Sequence, residues 1–110
     1  MSAHSRRKGS RYELDVHKHL EATVGDRWQR INRNGFDGAD GLLESEDRGL
    51  ELSVECKNHK TMALAAWVDQ AIEQAEGRPA VVIHKRAGRT DVAEHYATMT
   101  VADLLRILED

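Results

Sequence analysis

One cysteine, Cys56, stands among 110 residues, so no disulfide can form within the chain. A lone thiol suits a reducing cytoplasm. It has no Cys-x-x-Cys partner, and the six histidines are scattered, which leaves no zinc-ligand spacing. Long hydrophobic runs are also missing. No stretch of about 18 apolar residues is present, so no membrane-spanning helix is expected. The segment from Met1 to Arg11 is polar and basic, unlike the apolar start of a signal peptide. Repeats, low-complexity segments and linkers are absent. The sequence therefore predicts one domain, 1–110, with residues 1–9 as a flexible basic segment at its start.

Positive charge is not in excess. Sixteen Lys and Arg face nineteen Asp and Glu, a net charge of −3, which argues against a general nucleic-acid coat. The distribution says more than the sum. Arg6, Arg7, Lys8 and Arg11 form a basic block, and His84, Lys85, Arg86 and Arg89 form another. Acids gather between them at Asp37, Asp40, Glu44, Glu46 and Asp47. Basic flanks around an acidic centre fit a metal site that grips phosphate, and equally a solvated surface.

What is present is a strict alternation. Leu50, Leu52, Val54 and Cys56 are apolar, while Glu51, Ser53, Glu55 and Lys57 are polar. Period two predicts a strand with one face in the core. Glu55 and Lys57 then share a face, about 7 Å apart. Asp40 lies in a plausible neighbouring strand, Ala39–Leu43. Two carboxylates and a lysine on adjacent strands suit phosphodiester cleavage. The carboxylates can hold a hard divalent cation, and the ammonium can orient water or stabilise the charge that develops on phosphorus.

The other elements follow from pattern. Tyr12, Val16, Leu20 and Val24 recur at i+4, predicting a helix over 10–24 that stops at Gly25. Trp28–Asn32 reads as a strand, and 33–38 as a glycine-rich turn. Thr61 is the expected cap of a helix to Glu76, whose wide apolar face includes Met62, Ala65, Ala66, Val68, Ala71, Ile72 and Ala75. Ala80–His84 reads as a central strand and Ala97–Thr100 as a short one. Thr100 with Asp103 resembles a capping box for a closing helix, Val101–Leu108. The order αβββαββα implies an α/β fold with a mixed central sheet flanked by helices. Trp28 and Trp67 are read as core or dimer contacts, and His17 and His19 as surface residues.

A glutamate in the first helix, an aspartate on the second strand and Glu-x-Lys on the third, followed by a helix and a strand, resemble the PD-(D/E)xK nucleases, whose restriction-endonuclease-like core is αβββαβ. Within that superfamily, Arg6-Arg7-Lys8-Gly9 leading into Tyr12-Glu13-Leu14, together with Glu55-Cys56-Lys57, resembles the archaeal-type Holliday junction resolvases. The resemblance spans about residues 6–86. It departs where the family's proline before the aspartate is Ala39, and where the family's serine-containing loop has no counterpart. Asp37 competes with Asp40 for the aspartate role; Asp40 is preferred because it opens the strand toward Leu42-Leu43.

The resemblance implies a Mg2+-dependent endonuclease, with Mn2+ as a substitute, that leaves 5′-phosphate and 3′-hydroxyl ends on branched DNA, above all four-way junctions. Asp40 and Glu55 would hold the metal, Glu13 would complete a second site or hold water, and Lys57 would act on the attacking water. Gln70 and Gln74 stand one helical turn apart, where related nucleases often place a supporting glutamine. Arg6, Arg7, Lys8, Arg11, Arg33, Lys85 and Arg86 are the candidate DNA contacts. Two opposed cuts from a one-site chain imply a twofold homodimer, through the alanine-rich helix or through Leu104, Leu105 and Ile107. The cytoplasm is the expected location, a host's if the chain is viral. The alternatives are another nuclease of this fold (a nickase, a repair or a restriction-like enzyme) and a non-catalytic DNA-binding subunit.

Overall fold

The computed structural model describes residues 3–31 and 39–109, with side chains from Lys8 onward in the first helix. Helix α1 spans Ala3–Val24 and leads through a 3-10 turn, Gly25–Arg27, into strand β1, Trp28–Arg30. Strands β2, Gly41–Glu44, and β3, Glu51–Lys57, follow. Helix α2, Leu64–Gln74, connects β3 to β4, Ala80–His84. Strand β5, Tyr96–Thr98, and helix α3, Val101–Leu108, complete the chain. The five strands lie in the order β1-β2-β3-β4-β5, antiparallel except for the parallel β3–β4 pair. This is the expected mixed sheet, and the helical crossover is what a parallel pair requires.

Side-chain alternation divides the core into two layers. On one face Trp28, Val54 and Val81 pack with Leu20 and Val24 of α1 and with Leu52, Cys56 and Ile83. On the other, Ala80 and Val82 pack against Trp67, Ala71 and Ala75 of the α2 segment. The α1 stripe is as the sequence predicts: Tyr12 and Val16 are buried, and Leu20 and Val24 pack onto the same core. Both tryptophans are core residues. His17 is half-buried rather than a surface group, because its Nδ1 accepts a 2.9 Å hydrogen bond from Trp28 Nε1.

Several boundaries differ from expectation. Helix α1 begins at Ala3, not at residue 10. Arg and Lys are good helix formers, and one glycine costs only about 1 kcal/mol, so residues 6–9 continue the helix. Thr61 does not cap α2, which starts after Ala63 without a side-chain cap. The buried face of α2 is narrower than its alanines suggest, since Met62, Ala65, Ala66 and Ile72 are exposed. The small buried residues Ala71 and Ala75 meet the sheet where Ala80 and Val82 lie. Gly77, with φ +88°, ends the helical segment as expected, preceded by Glu76 in the same left-handed region. At α3 the Thr100 hydroxyl accepts from Asp103 N over 3.1 Å. The Asp103 carboxylate does not reach back to close a capping box. It accepts from Ala80 N over 3.0 Å and pins α3 to the start of β4.

Candidate active site

Strand β3 is the axis of the site. Its Val54 side faces α1, and its Ser53–Glu55 side faces α2. Helices cover both faces, so the polar side is not the solvated surface that alternation alone suggests. Ser53 and Glu55 are buried, Glu55 to 9% exposure. A carboxylate in that position costs free energy that an exposed ion pair would not.

Asp40 stands just before β2, where the ladder continues past the Gly41–Val54 pair. Its backbone N donates to Val54 O over 2.9 Å, and its carbonyl accepts from Ile31 N over 2.8 Å. These bonds fix its side chain, whose Oδ2 accepts from Cys56 N over 2.7 Å. Asp40 is thereby held against Glu55, with which it shares a hydrogen bond. Gly41 lets β1, with its Trp28 ring, lie close against β2 beside Asp40. A Cβ there would lie 2.6 Å from Trp28 Cζ3 and 2.7 Å from the Gln29 carbonyl oxygen.

Two close carboxylates, Glu55 buried and Asp40 half-buried, cannot both ionise easily. Burial foremost, then the neighbouring Asp40 charge, pushes Glu55 up to about 8, while Lys57 opposes the shift. Burial likewise raises Asp40 to about 6, although the Cys56 backbone hydrogen bond and Lys57 pull it down. Glu13 adds its negative field to both. The same burial pushes the Cys56 thiol up, so it stays protonated and serves as packing.

Lys57 is half-buried, and its Nζ donates to Gln70 Oε1 on α2 over 2.9 Å. An ammonium has three N–H groups, so two are left to act elsewhere. Gln74, one turn further along, is half-buried and also engaged. Glu13 lies on α1, paired with Arg30 Nε at 3.3 Å. Arg30 carries no signal in the sequence; it reaches Glu13 because α1 lies against β1. Asp40, Glu55, Lys57 and Gln70 thus come together, with Glu13 at their edge.

The remaining expectations divide. Lys85 and Arg86 follow the end of β4, and Lys8 and Arg11 lie near the start of α1. Tyr12 OH and His95 Nδ1 share a 2.9 Å hydrogen bond that ties the first turns of α1 to the β4–β5 connection carrying Lys85 and Arg86. Arg33 and the competing Asp37 lie outside the described residues, as do the side chains of Arg6 and Arg7.

The donor set favours a hard cation. Asp40 and Glu55 offer carboxylate oxygens whose mutual repulsion a dication would relieve. Among the described residues, no three His, Cys, Asp or Glu side chains form a closed cage. Magnesium does not need one, since it commonly uses one or two carboxylates and keeps waters or phosphate oxygens.

None of the curated proteins matches the chain. Among solved structures, the chain is similar to Hjc, a Holliday junction resolvase from the archaeal hyperthermophile Archaeoglobus fulgidus. The TM-score is 0.53 and the identity 22%, over 89% of this chain and 88% of that one. At that identity the likeness establishes the fold, the α/β nuclease fold with a mixed five-stranded sheet. A family described as "Phage putative PDDEXK endonuclease" matches residues 4–108. A match over nearly the whole length decides the assignment: this chain belongs to the phage PDDEXK endonuclease family, and it is a nuclease of the PDDEXK type.

Proposed function

We propose that the protein is a Mg2+-dependent, structure-selective DNA endonuclease, most concretely a Holliday junction resolvase, which hydrolyses phosphodiesters to 5′-phosphate and 3′-hydroxyl ends. The observation that carries this reading is the pairing of half-buried Asp40 with buried Glu55 beside Lys57. A fold has no use for two repelling carboxylates under a helix, whereas a cation site does.

Asp40 and Glu55 are the residues that would hold Mg2+, or Mn2+ in its place. When bound, such a cation supplies charge neutralisation at the phosphate and Lewis acidity toward water. Lys57, steered by Gln70, orients the attacking water or stabilises the charge gathering on the phosphoryl oxygens. Glu13 adds a third carboxylate at the rim, held by Arg30. Gln74 supports the α2 side of the site. Lys8 and Arg11 with Lys85 and Arg86 give the phosphate backbone contacts on either side of the Tyr12–His95 tie. Arg6, Arg7 and Arg33 extend that list by sequence.

A junction needs two opposed cuts, and one chain supplies one site, so the reading includes a twofold homodimer. Its natural place of action is the cytoplasm of an infected host. No helix of the described residues is long and apolar enough to cross a membrane. The test compares a labelled synthetic four-way junction with a linear duplex of the same sequence, in magnesium and in EDTA. Paired symmetric nicks in the junction alone are expected. Equal cutting of both substrates would discard the junction assignment and keep the nuclease.

A further inference from the structure

A row of side chains crosses the sheet from Lys57 to its edge. The registers pair Lys57 with His84 on β4, and His84 with Tyr96 on β5. Paired residues share a face, so the three side chains stand at one level on the Glu55 side of the sheet. Strands lie about 4.8 Å apart, which puts Tyr96 about 10 Å from Lys57. The row is rigid in its middle. His84 is 3% exposed and shares a 2.7 Å hydrogen bond with Thr98 Oγ1. Its ring contacts Trp67 at 5.8 Å and Tyr96 at 5.6 Å between centroids. Its Nδ1 is buried without a partner, so the ring is held there for its shape and position.

The end of the row is different. Tyr96 is 47% exposed, a large aromatic that the core does not use. The Arg86 guanidinium lies over its ring, 5.4 Å from the centroid. Among the described residues Arg86 forms no ion pair, so its charge is free to meet a phosphate or a base. An exposed ring with an unpaired planar cation beside it is the composition of a nucleobase-stacking platform.

We propose that Tyr96, braced by His84 on its inner side, stacks an unpaired or unstacked base on its outer face in place of the Arg86 guanidinium, which turns to a phosphate, within about three nucleotides of the bond cut beside Lys57, taking about 3.4 Å per nucleotide along a strand. The proposal rests on the nuclease reading of the site and deepens it by naming what distinguishes branched DNA there. In a duplex each base is already stacked on both faces, so the platform gains nothing. At a branch point the bases are less well stacked, and the platform takes one at little cost. Phosphate contacts alone would hold both substrates alike.

The test uses four-way junctions carrying 2-aminopurine at successive positions beside the branch, bound to the full chain in EDTA so that cutting does not intervene. With the parent and with Tyr96→Phe, fluorescence should be quenched at one or two of these positions. With Tyr96→Ala the quenching should vanish and junction affinity should fall roughly tenfold or more, while duplex affinity stays within about twofold. Unchanged junction affinity and quenching in Tyr96→Ala would overturn the proposal and leave Tyr96 as an edge residue covering His84. So would the absence of quenching at every position with the parent. Because the readout is binding, a parent that stacks a base but never cuts in magnesium would sink the nuclease reading and leave the platform standing.

Discussion

Glu55 and Asp40 are the residues at which fold and function pull apart. Both bind protons more tightly in the folded protein than an unfolded chain does, with values of about 8 and about 6. For a raised carboxylate the stabilising contribution is complete below about pH 4 and is lost as pH rises through the folded value. The metal-free protein should therefore lose Tm steadily from about pH 5 to about pH 8.5. A divalent cation must displace the same protons, so the Tm gain on adding magnesium should grow over that interval. Thermal melts with EDTA and with magnesium across the pH series check both slopes. A Tm flat with pH would contradict the buried pair. The variant Glu55→Gln keeps the shape without the charge, so at about pH 8.5 it should melt higher than the parent in EDTA and gain little from magnesium. A Glu55→Gln protein that melts lower than the parent at that pH would show that the glutamate is structurally required.

At the scale of elements, the parts written in local periodicity were legible and those set by tertiary contact were not. The i+4 stripe of α1 and the alternation of β3 repeat within a few residues of chain, and both elements form as the pattern predicts. Glu13, Asp40, Glu55 and Lys57 were legible as an ordered set of types, and Gln70 with Gln74 only as possible support; the fold brings Asp40, Glu55, Lys57 and Gln70 together, with Glu13 at their edge. The covering of β3's polar face was not legible, because it depends on where α2 lies. The partner of Asp40 was not legible either, being a backbone N–H sixteen residues away. The row through His84 to Tyr96 needs two registers that no local pattern encodes. The Thr100–Asp103 pattern marked the start of α3, yet the carboxylate serves a longer tie. Thr100→Ala removes one cap and should cost about 1 kcal/mol. Asp103→Ala keeps that cap, whose donor is its backbone N, but strands the buried Ala80 N–H and should cost about 1–3 kcal/mol. Urea melts of the two variants check both losses; an Asp103→Ala protein as stable as the parent would mean that the Ala80 tie contributes nothing.

For the whole molecule, the dimer reading turns on α3. Val101, Leu104, Leu105 and Leu108 are exposed on it, whereas Ile107 is half-buried. The dimer reading therefore favours Leu104 and Leu105 over Ile107, and over α2, whose Ala71 and Ala75 are already spent on the sheet. Light scattering should give a mass near twice the chain's 12.4 kDa, and Leu104→Glu with Leu105→Glu should return it to that of one chain. A parent that stays at one chain's mass at micromolar concentration would contradict a preformed twofold enzyme. Charge fits the same picture at long range. The net charge of −3 weakens general attraction to DNA, so binding relies on the basic clusters around the site and should weaken steeply with salt.

The central claim is that Asp40, Glu55 and Lys57 act as one metal-dependent unit on a phosphodiester. Its most direct test is the single-turnover cutting rate of a labelled four-way junction by the parent, Glu55→Gln and Lys57→Ala, after EDTA treatment and again with magnesium restored. The account predicts cutting by the parent only with magnesium, and a loss of about a thousandfold or more in either variant even though each still binds the junction. Cutting by the parent in EDTA, or near-parental rates in both variants with magnesium, would place the chemistry elsewhere.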